Sequence, residues 1–269
     1  MTEIMFDKIF LPNRNPESHK GDFGKVLLIC GSEKYTGAAF FSAQAAVNTG
    51  SGLVYLAIPD EIRAPMQAKL NEPILLSRDE YSGRYDATLI GCGLALDSGE
   101  LVAHELYNGS SPLIIDADAI TVIARDKLSL KASKREIVLT PHEGEFLRLC
   151  PDFDHSRREE FASNFAKENE CTLVLKGHRT LTATKTGELF INTNGNPGMA
   201  KGGSGDILSG IITSLVGQGI PVHTAAYTGV WLHGRAGDIA SKAFGEYAMT
   251  PTDMLATLKS AICEVEKRI

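Results

Sequence analysis

Apolar residues run along this chain in short unbroken blocks instead of alternating with polar ones. Lys25-Val26-Leu27-Leu28-Ile29-Cys30, Leu53–Ile58, Ala87–Ile90, Leu113–Ile115, Ile137–Leu139 and Thr172–Leu175 are such blocks. A strand wetted on one face would alternate, so blocks apolar at nearly every position predict central parallel strands covered on both faces. Helical stretches lie between them, the first over about residues 37–49. Each block ends in small, polar or charged residues: Gly31-Ser32, Gly91-Cys92-Gly93, Asp116-Ala117-Asp118, Thr140-Pro141-His142 and Lys176-Gly177. Ligands of open α/β sheets sit outside the carboxyl ends of the strands, so these tips are expected to share one edge.

After Lys176 the pattern changes. Residues 180–184 and 188–192 flank Lys185-Thr186-Gly187, which predicts an antiparallel hairpin. A glycine-rich loop follows, then a helix to about residue 216, another over about 222–240, and a last one after Pro251. No linker, repeat or low-complexity segment divides the sequence. The expected fold is a three-layer α/β/α sandwich with a mostly parallel central sheet, in one domain over residues 1–269.

Composition narrows the function classes. Of 269 residues, 43% are hydrophobic and 22% charged, and the net charge of −6 argues against a general nucleic-acid or anionic-membrane surface. The five cysteines are scattered and form no C-x-x-C pair, which suits reduced, buried thiols in a cytoplasmic protein better than a disulfide framework or a zinc site. Cys92, between two glycines, has no local base to make it a nucleophile. The N-terminal residues carry acids and lack an apolar core segment, so no signal peptide is expected. Residues 35–59 and 207–232 hold no Asp, Glu, Lys or Arg, but glycine, proline and polar residues break both, and they read as buried core.

The most informative stretch runs from Asn194 to Asp206, with five glycines in thirteen residues, and opens on the apolar run Ile207-Leu208-Ser209-Gly210-Ile211-Ile212. Glycines let backbone N–H groups converge, and the helix start adds unpaired donors and a positive dipole end, a place where phosphate binds. A carboxylate there is unfavourable beside phosphate unless it acts. Asp206 is read as a general base taking a proton from a hydroxyl next to a phosphoryl donor, with a simple helix cap as the bland alternative. His142 either orients a substrate or is a surface histidine at a helix start. Asp116 and Asp118 either hold Mg²⁺ through water or serve as turn and cap residues, the cap being favoured for Asp118. Lys176, Gly177, His178, Arg179 and Thr180 either meet a nucleotide or carry solvated charge at a strand end. Neither a Walker P-loop nor a G-x-G-x-x-G follows the first strand.

Taken in order, Lys20-Gly21-Asp22-Phe23-Gly24-Lys25, Gly31-Ser32, Tyr35-Thr36-Gly37-Ala38-Ala39, Gly91-Cys92-Gly93-Leu94, Asp116-Ala117-Asp118-Ala119, Leu139-Thr140-Pro141-His142, Val174-Leu175-Lys176-Gly177, Gly195-Asn196-Pro197-Gly198-Met199-Ala200, Gly202-Gly203-Ser204-Gly205-Asp206 and Leu232-His233-Gly234-Arg235-Ala236-Gly237-Asp238 resemble the ADP/ATP-dependent NAD(P)H-hydrate dehydratases, a branch of the ribokinase-like superfamily. Single pieces are weak; the ordered set, from about residue 20 to 240, is specific. The resemblance implies a hydro-lyase that repairs the S epimer of NADHX or NADPHX by phosphorylating the ring hydroxyl and expelling phosphate. It implies Asp206 as the base. Ala38, Gly93, His142 and Asp206 would contact the substrate, and Lys176 to Thr180 with Gly205 the adenine nucleotide. Gly203, Ser204 and Gly205 would form the anion hole.

The resemblance further implies Mg²⁺, ADP or ATP as co-substrate (with a lean to ADP), a homotetramer, and a separate epimerase as a possible partner, the chain being too short for a fused one. One residue departs from the family pattern: Glu143 follows His142 where proline is common. Two other readings stay open: a ribokinase-like kinase of a small vitamin-precursor alcohol, and a non-catalytic nucleotide-binding regulator.

Overall fold

The computed structural model describes residues 1–267. In chain order the elements are β1 (Thr2–Glu3), β2 (Lys25–Ile29), α1 (Thr36–Asn48), β3 (Leu53–Ile58), α2 (Arg63–Gln67), β4 (Ile74–Ser77), β5 (Ala87–Ile90), α3 (Gly99–Asn108), β6 (Leu113–Ile115) and α4 (Ala117–Asp126). They continue with β7 (Ile137–Leu139), α5 (Glu143–Leu149), α6 (Arg158–Glu168), β8 (Thr172–Leu175), β9 (Leu181–Ala183), β10 (Leu189–Ile191), α7 (Ser204–Gly217), α8 (Val222–Ala248) and α9 (Pro251–Glu266).

All strands join one sheet in the order β1-β10-β9-β8-β7-β6-β5-β2-β3-β4. From β4 to β8 every neighbouring pair is parallel; β9 is antiparallel to both β8 and β10, forming the expected hairpin. The unbroken apolar blocks are explained by which face each residue serves. Val26, Leu28 and Cys30 point into one core with α1, α7, α8 and α9, whereas Leu27 and Ile29 point into the other, shared with α3 to α6. The three layers are therefore those the sequence predicts.

Two strands escape that reading. β4 is a four-residue edge strand directly after Pro73 with Ile74 exposed, and β1 is two exposed residues paired in parallel with β10. Both lie at sheet edges; β4 does carry a short apolar run, Ile74-Leu75-Leu76, whereas the two residues of β1, Thr2 and Glu3, carry none. The helix expected over 222–240 runs on to Ala248 with a break at Gly245, whose φ is 76°.

α7 is the central helix of its layer. Twelve of its fourteen residues are buried, against α1 on one side and α8 on the other. Its approach to α1 depends on Gly210: a methyl group there would lie 2.2 Å from the Ser42 carbonyl oxygen. Gly210→Ala is therefore expected to cost about 1–3 kcal/mol of stability through overpacking. Gly202→Ala, with no atom within 4 Å of the added methyl, should stay near wild type; urea unfolding of the two variants compares them.

Candidate active site

The glycine loop ends at Gly203, whose φ of 104° lies in the left-handed region that glycine enters without strain. Gly203 is the N-cap of α7, so the chain turns there straight into the helix and Asp206 is its third residue, not its cap. A methyl on Gly203 would meet the Phe41 ring at 2.7 Å, which ties the turn to α1. The loop is held from α8: Asp238 accepts hydrogen bonds from Gly195 N (3.1 Å) and Asn196 Nδ2 (3.1 Å). His233 Nε2 lies 2.9 Å from the Ser204 carbonyl oxygen and 3.1 Å from its hydroxyl. Burial pushes His233 down to about 4, so it stays a neutral ring at neutral pH and pins the first turn without adding charge.

Opposite this turn lie the tips of β6 and β8. Lys176 Nζ donates to Asp116 Oδ1 at 2.8 Å, Ser209 Oγ donates to Asp116 Oδ2 at 2.6 Å, and Cys92 Sγ lies 3.7 Å from that oxygen. Burial pushes the Asp116 carboxyl up, but the Lys176 ammonium and the hydroxyls of Ser209 and Thr140 outweigh it, and the group is held below the usual carboxylate value. Burial likewise opposes the Lys176 charge, and Asp116 and Glu145 restore it, leaving the ammonium above its ordinary value. Lys176 Nζ would lie 3.2 Å from a methyl on Gly205, so the cation sits at the start of α7.

Asp206 differs from Asp116. Burial and the Asp116 charge push its carboxyl up to about 6, against weaker opposing pulls from Cys92 and Lys176. A carboxylate poised there is a better proton acceptor near neutrality than an ordinary aspartate.

The structure brings several of the sequence-predicted residues to this edge. Gly93 and Ala38 face each other across one gap: a methyl on Gly93 would lie 2.9 Å from Ala38 Cβ and 2.6 Å from Tyr35 Cβ. His142 is the N-cap of α5, its Nδ1 accepting from Glu145 N (3.2 Å) while Glu145 Oε2 accepts from His142 N (2.9 Å). Its side chain stays 57% exposed, and a backbone bridge to Lys176 sets it beside the lysine. Thr180 Oγ1 donates to the Gly177 carbonyl (3.0 Å), closing the turn that leaves His178 and Arg179 exposed. Ser204, expected in the anion hole, donates its N–H to the Lys201 carbonyl at 3.2 Å.

Three of the alternatives left open by the sequence fall away. Asp118 caps no helix; its Oδ2 accepts from Ala95 N at 2.9 Å and staples the Gly91–Ala95 loop to α4. Asp116 takes the N-cap position of α4 without capping it, because its carboxylate is turned to Lys176. Lys176 is correspondingly not a solvated charge at a strand end. Glu143 lies beside the turn that follows Lys176: its carboxylate lies 2.8 Å from Arg158 Nε, 2.9 Å from His155 Nδ1 and 3.7 Å from where a methyl on Gly177 would sit. Arg158 then donates to the carbonyls of His178 (3.2 Å) and Leu175 (3.3 Å), tying α5 to the Lys176–Thr180 turn. Arg158 carried no sequence signal. Ser209, three residues after Asp206 on one helix face, carried a weak one.

A parallel sheet with a glycine loop and an acid-bearing helix at its carboxyl edge defines the ribokinase-like class, which the shared topology of solved structures supports. The family model described as NAD(P)H-hydrate dehydratase matches residues 26–260, and this chain belongs to that family. An ADP-dependent (S)-NAD(P)H-hydrate dehydratase from Neisseria meningitidis serogroup B is 34% identical, over 91% of this chain and 86% of its own. The ADP/ATP-dependent NAD(P)H-hydrate dehydratase of Bacillus subtilis, co-crystallised with ATP/Mg²⁺, has a TM-score of 0.87 at 27% identity, covering 95% and 94% of the two chains. Bifunctional NAD(P)H-hydrate repair enzymes also match; that of Moorella thermoacetica is 38% identical over 96% of this chain, which spans only 53% of that relative.

Asp116→Asn leaves the Lys176 ammonium with only the more distant Glu145 carboxylate, 4.0 Å away, and is expected to lose about 2–4 kcal/mol at pH 7 by urea unfolding. Adding Lys176→Met should recover much of that loss. The gap between wild type and Asp116→Asn should shrink as pH falls below the ordinary carboxylate range, because the wild-type carboxyl then protonates too and its pairing is lost.

Proposed function

We propose that this chain dehydrates the S epimer of NADHX and NADPHX back to NADH and NADPH, driven by ADP or ATP. The reading rests above all on Asp206, a half-buried carboxylate raised to about 6 in the first turn of a helix entered from a glycine loop. Asp206 takes the proton of the substrate's ring hydroxyl, and the oxygen attacks the terminal phosphorus of the nucleotide, whose shorter nucleotide departs. Phosphate then leaves the ring carbon where hydroxide could not, and loss of a ring proton restores the double bond. Water is thus removed in two steps, hydroxyl oxygen with the phosphate and hydrogen to solvent. The N–H groups at Gly203 and Gly205 and the Lys176 ammonium face the charge that gathers on the transferring phosphoryl group.

Ala38, Gly93 and His142 are proposed to receive the nicotinamide end, and Gly177 to Thr180 the adenine nucleotide. Mg²⁺ is proposed to arrive on the nucleotide phosphates, since the residues do not fit a protein-held Mg²⁺. The donors that converge, Cys92, Asp116 and Asp206, include a thiol, which Mg²⁺ avoids, and Glu145 already accepts from His142 N. Residues 1–269 are proposed to act as one domain in a cytoplasmic homotetramer, with a separate epimerase supplying the S epimer. No helix among the described residues is long and apolar enough to cross a membrane.

Reduced nicotinamide absorbs in the near ultraviolet and its hydrate does not, so absorbance reports turnover. Wild type with hydrated NADH, Mg²⁺ and ADP or ATP should give a nucleotide-dependent rise that Asp206→Asn lowers by about 10²–10⁴-fold. Below pH about 6 the rate should fall as Asp206 protonates. A stable phosphate ester of an alcohol with no such rise would move the assignment to an alcohol kinase; tight nucleotide binding without any turnover would move it to a regulator.

The Glu143–Arg158 link predicts a separate effect. Arg158→Ala should raise the nucleotide KM while changing kcat little, because it frees the Lys176–Thr180 turn and leaves Asp206 in place.

A further inference from the structure

Cys92 has no part in the dehydration, yet it sits against the base. The glycines on either side bring it to the mouth of β5, and its side chain is fully buried. Its thiol donates to Asp116 Oδ2 at 3.7 Å, and Cys30 follows the neighbouring strand β2. One ligand atom from each of Cys92, Asp116 and Asp206 lies within 4.8 Å of the other two. Sulfur at about 2.3 Å and carboxylate oxygens at about 2.0–2.2 Å from one ion require only a modest contraction of that triangle.

We propose that Cys92, Asp116 and Asp206 form a three-ligand site for a thiophilic divalent cation, Zn²⁺ or Cd²⁺, which occupies the base and shuts the enzyme off. Three protein ligands leave a fourth position open toward the substrate space, as in open zinc sites. Charge supports the arrangement. A thiolate and two carboxylates carry three negative charges against the single Lys176 ammonium, which Glu145 also faces at 4.0 Å, so a divalent ion offsets charge that the protein leaves uncompensated there. Binding releases the Cys92 proton and whatever proton Asp206 holds, and Asp116 Oδ2 exchanges its contacts with Ser209 and Cys92 for the ion. Mg²⁺ does not compete, because it demands near-octahedral oxygen ligands and stays with the nucleotide phosphates.

Binding itself does not depend on the proposed reaction, though the inhibition does, and the two are read separately. The first readout is thiolate-to-cadmium charge-transfer absorption in the ultraviolet as Cd²⁺ is titrated into purified protein. Wild type should show a band saturating at one equivalent. It should survive in a Cys150→Ala, Cys263→Ala double variant, which removes the more accessible thiols, and vanish in Cys92→Ala. Asp206→Asn, with the thiol intact, should weaken Cd²⁺ binding by at least about 100-fold, since losing a ligand costs more than the roughly 10–100-fold of losing a partner behind one. No band in wild type, or a band that persists in Cys92→Ala, overturns the proposal. If Cys92→Ala does not fold by circular dichroism, unchanged Cd²⁺ affinity in Asp206→Asn overturns it alone. The second readout is turnover with Zn²⁺ at saturating Mg²⁺: inhibition competitive with proton uptake by Asp206 supports the regulatory clause, and a bound ion without inhibition removes that clause.

Discussion

The candidate site is organised around one buried ion pair, Lys176 with Asp116. A lone ammonium or carboxylate at that depth would be held in its neutral form, because burial opposes charge on either. Together they remain charged, and each holds something else in place. Asp116 reaches across to Ser209 and so fixes the first turns of α7 against the tip of β6. Lys176 delivers its charge to the start of that helix and links it to the strand from which the hairpin departs. Asp206 feels both charges: its raised affinity for a proton comes from burial and Asp116, and Lys176 keeps the rise moderate. One pair thereby sets position and acidity at once.

Most of the architecture was legible from the sequence because both faces of the sheet are covered. Fully apolar blocks such as Leu113–Ile115 leave no other reading, and the change to alternation after Lys176 marked the hairpin. β1 was not legible, since its two residues are polar and exposed, and the β4 run Ile74-Leu75-Leu76 is too short to tell a strand from other buried structure. The site was legible in a different way. Glycine chemistry and a carboxylate pointed to Asp206, whose local setting is encoded within thirteen residues. Asp116 was visible only as an acid at a strand tip. Its partner lies sixty residues on, and only the order of strands β6, β7 and β8 in the sheet brings them together. Glu143 shows the same limit: the sequence marked it only as a departure from proline, and its pairing with Arg158 fifteen residues on could not be read there.

Close packing around α7 carries a second kind of order. Its glycines sit where neighbours press closest, Gly210 against α1 and Gly217 against the Val26 side chain of β2. Helix and sheet therefore meet with little slack, and the turn that carries Asp206 inherits their rigidity. A base placed by a well-packed helix has less freedom to drift from a productive line of attack than one carried on a loop.

The sheet order also bears on how the chain is made. β1 hydrogen-bonds to β10, with Thr2 opposite Phe190, so it leaves the ribosome long before its partner exists. The central strands β2, β3 and β5 have neighbours of moderate separation and can assemble while synthesis continues. The β8–β9–β10 hairpin adds on one side only when the chain is nearly three-quarters long, and the N-terminal segment then docks onto its outer edge. Closure of that flank is a late, non-local event, the kind that loop entropy makes slow. Until it happens, β10 presents an open strand edge to other nascent chains, and the short β1 acts as the clip that covers it.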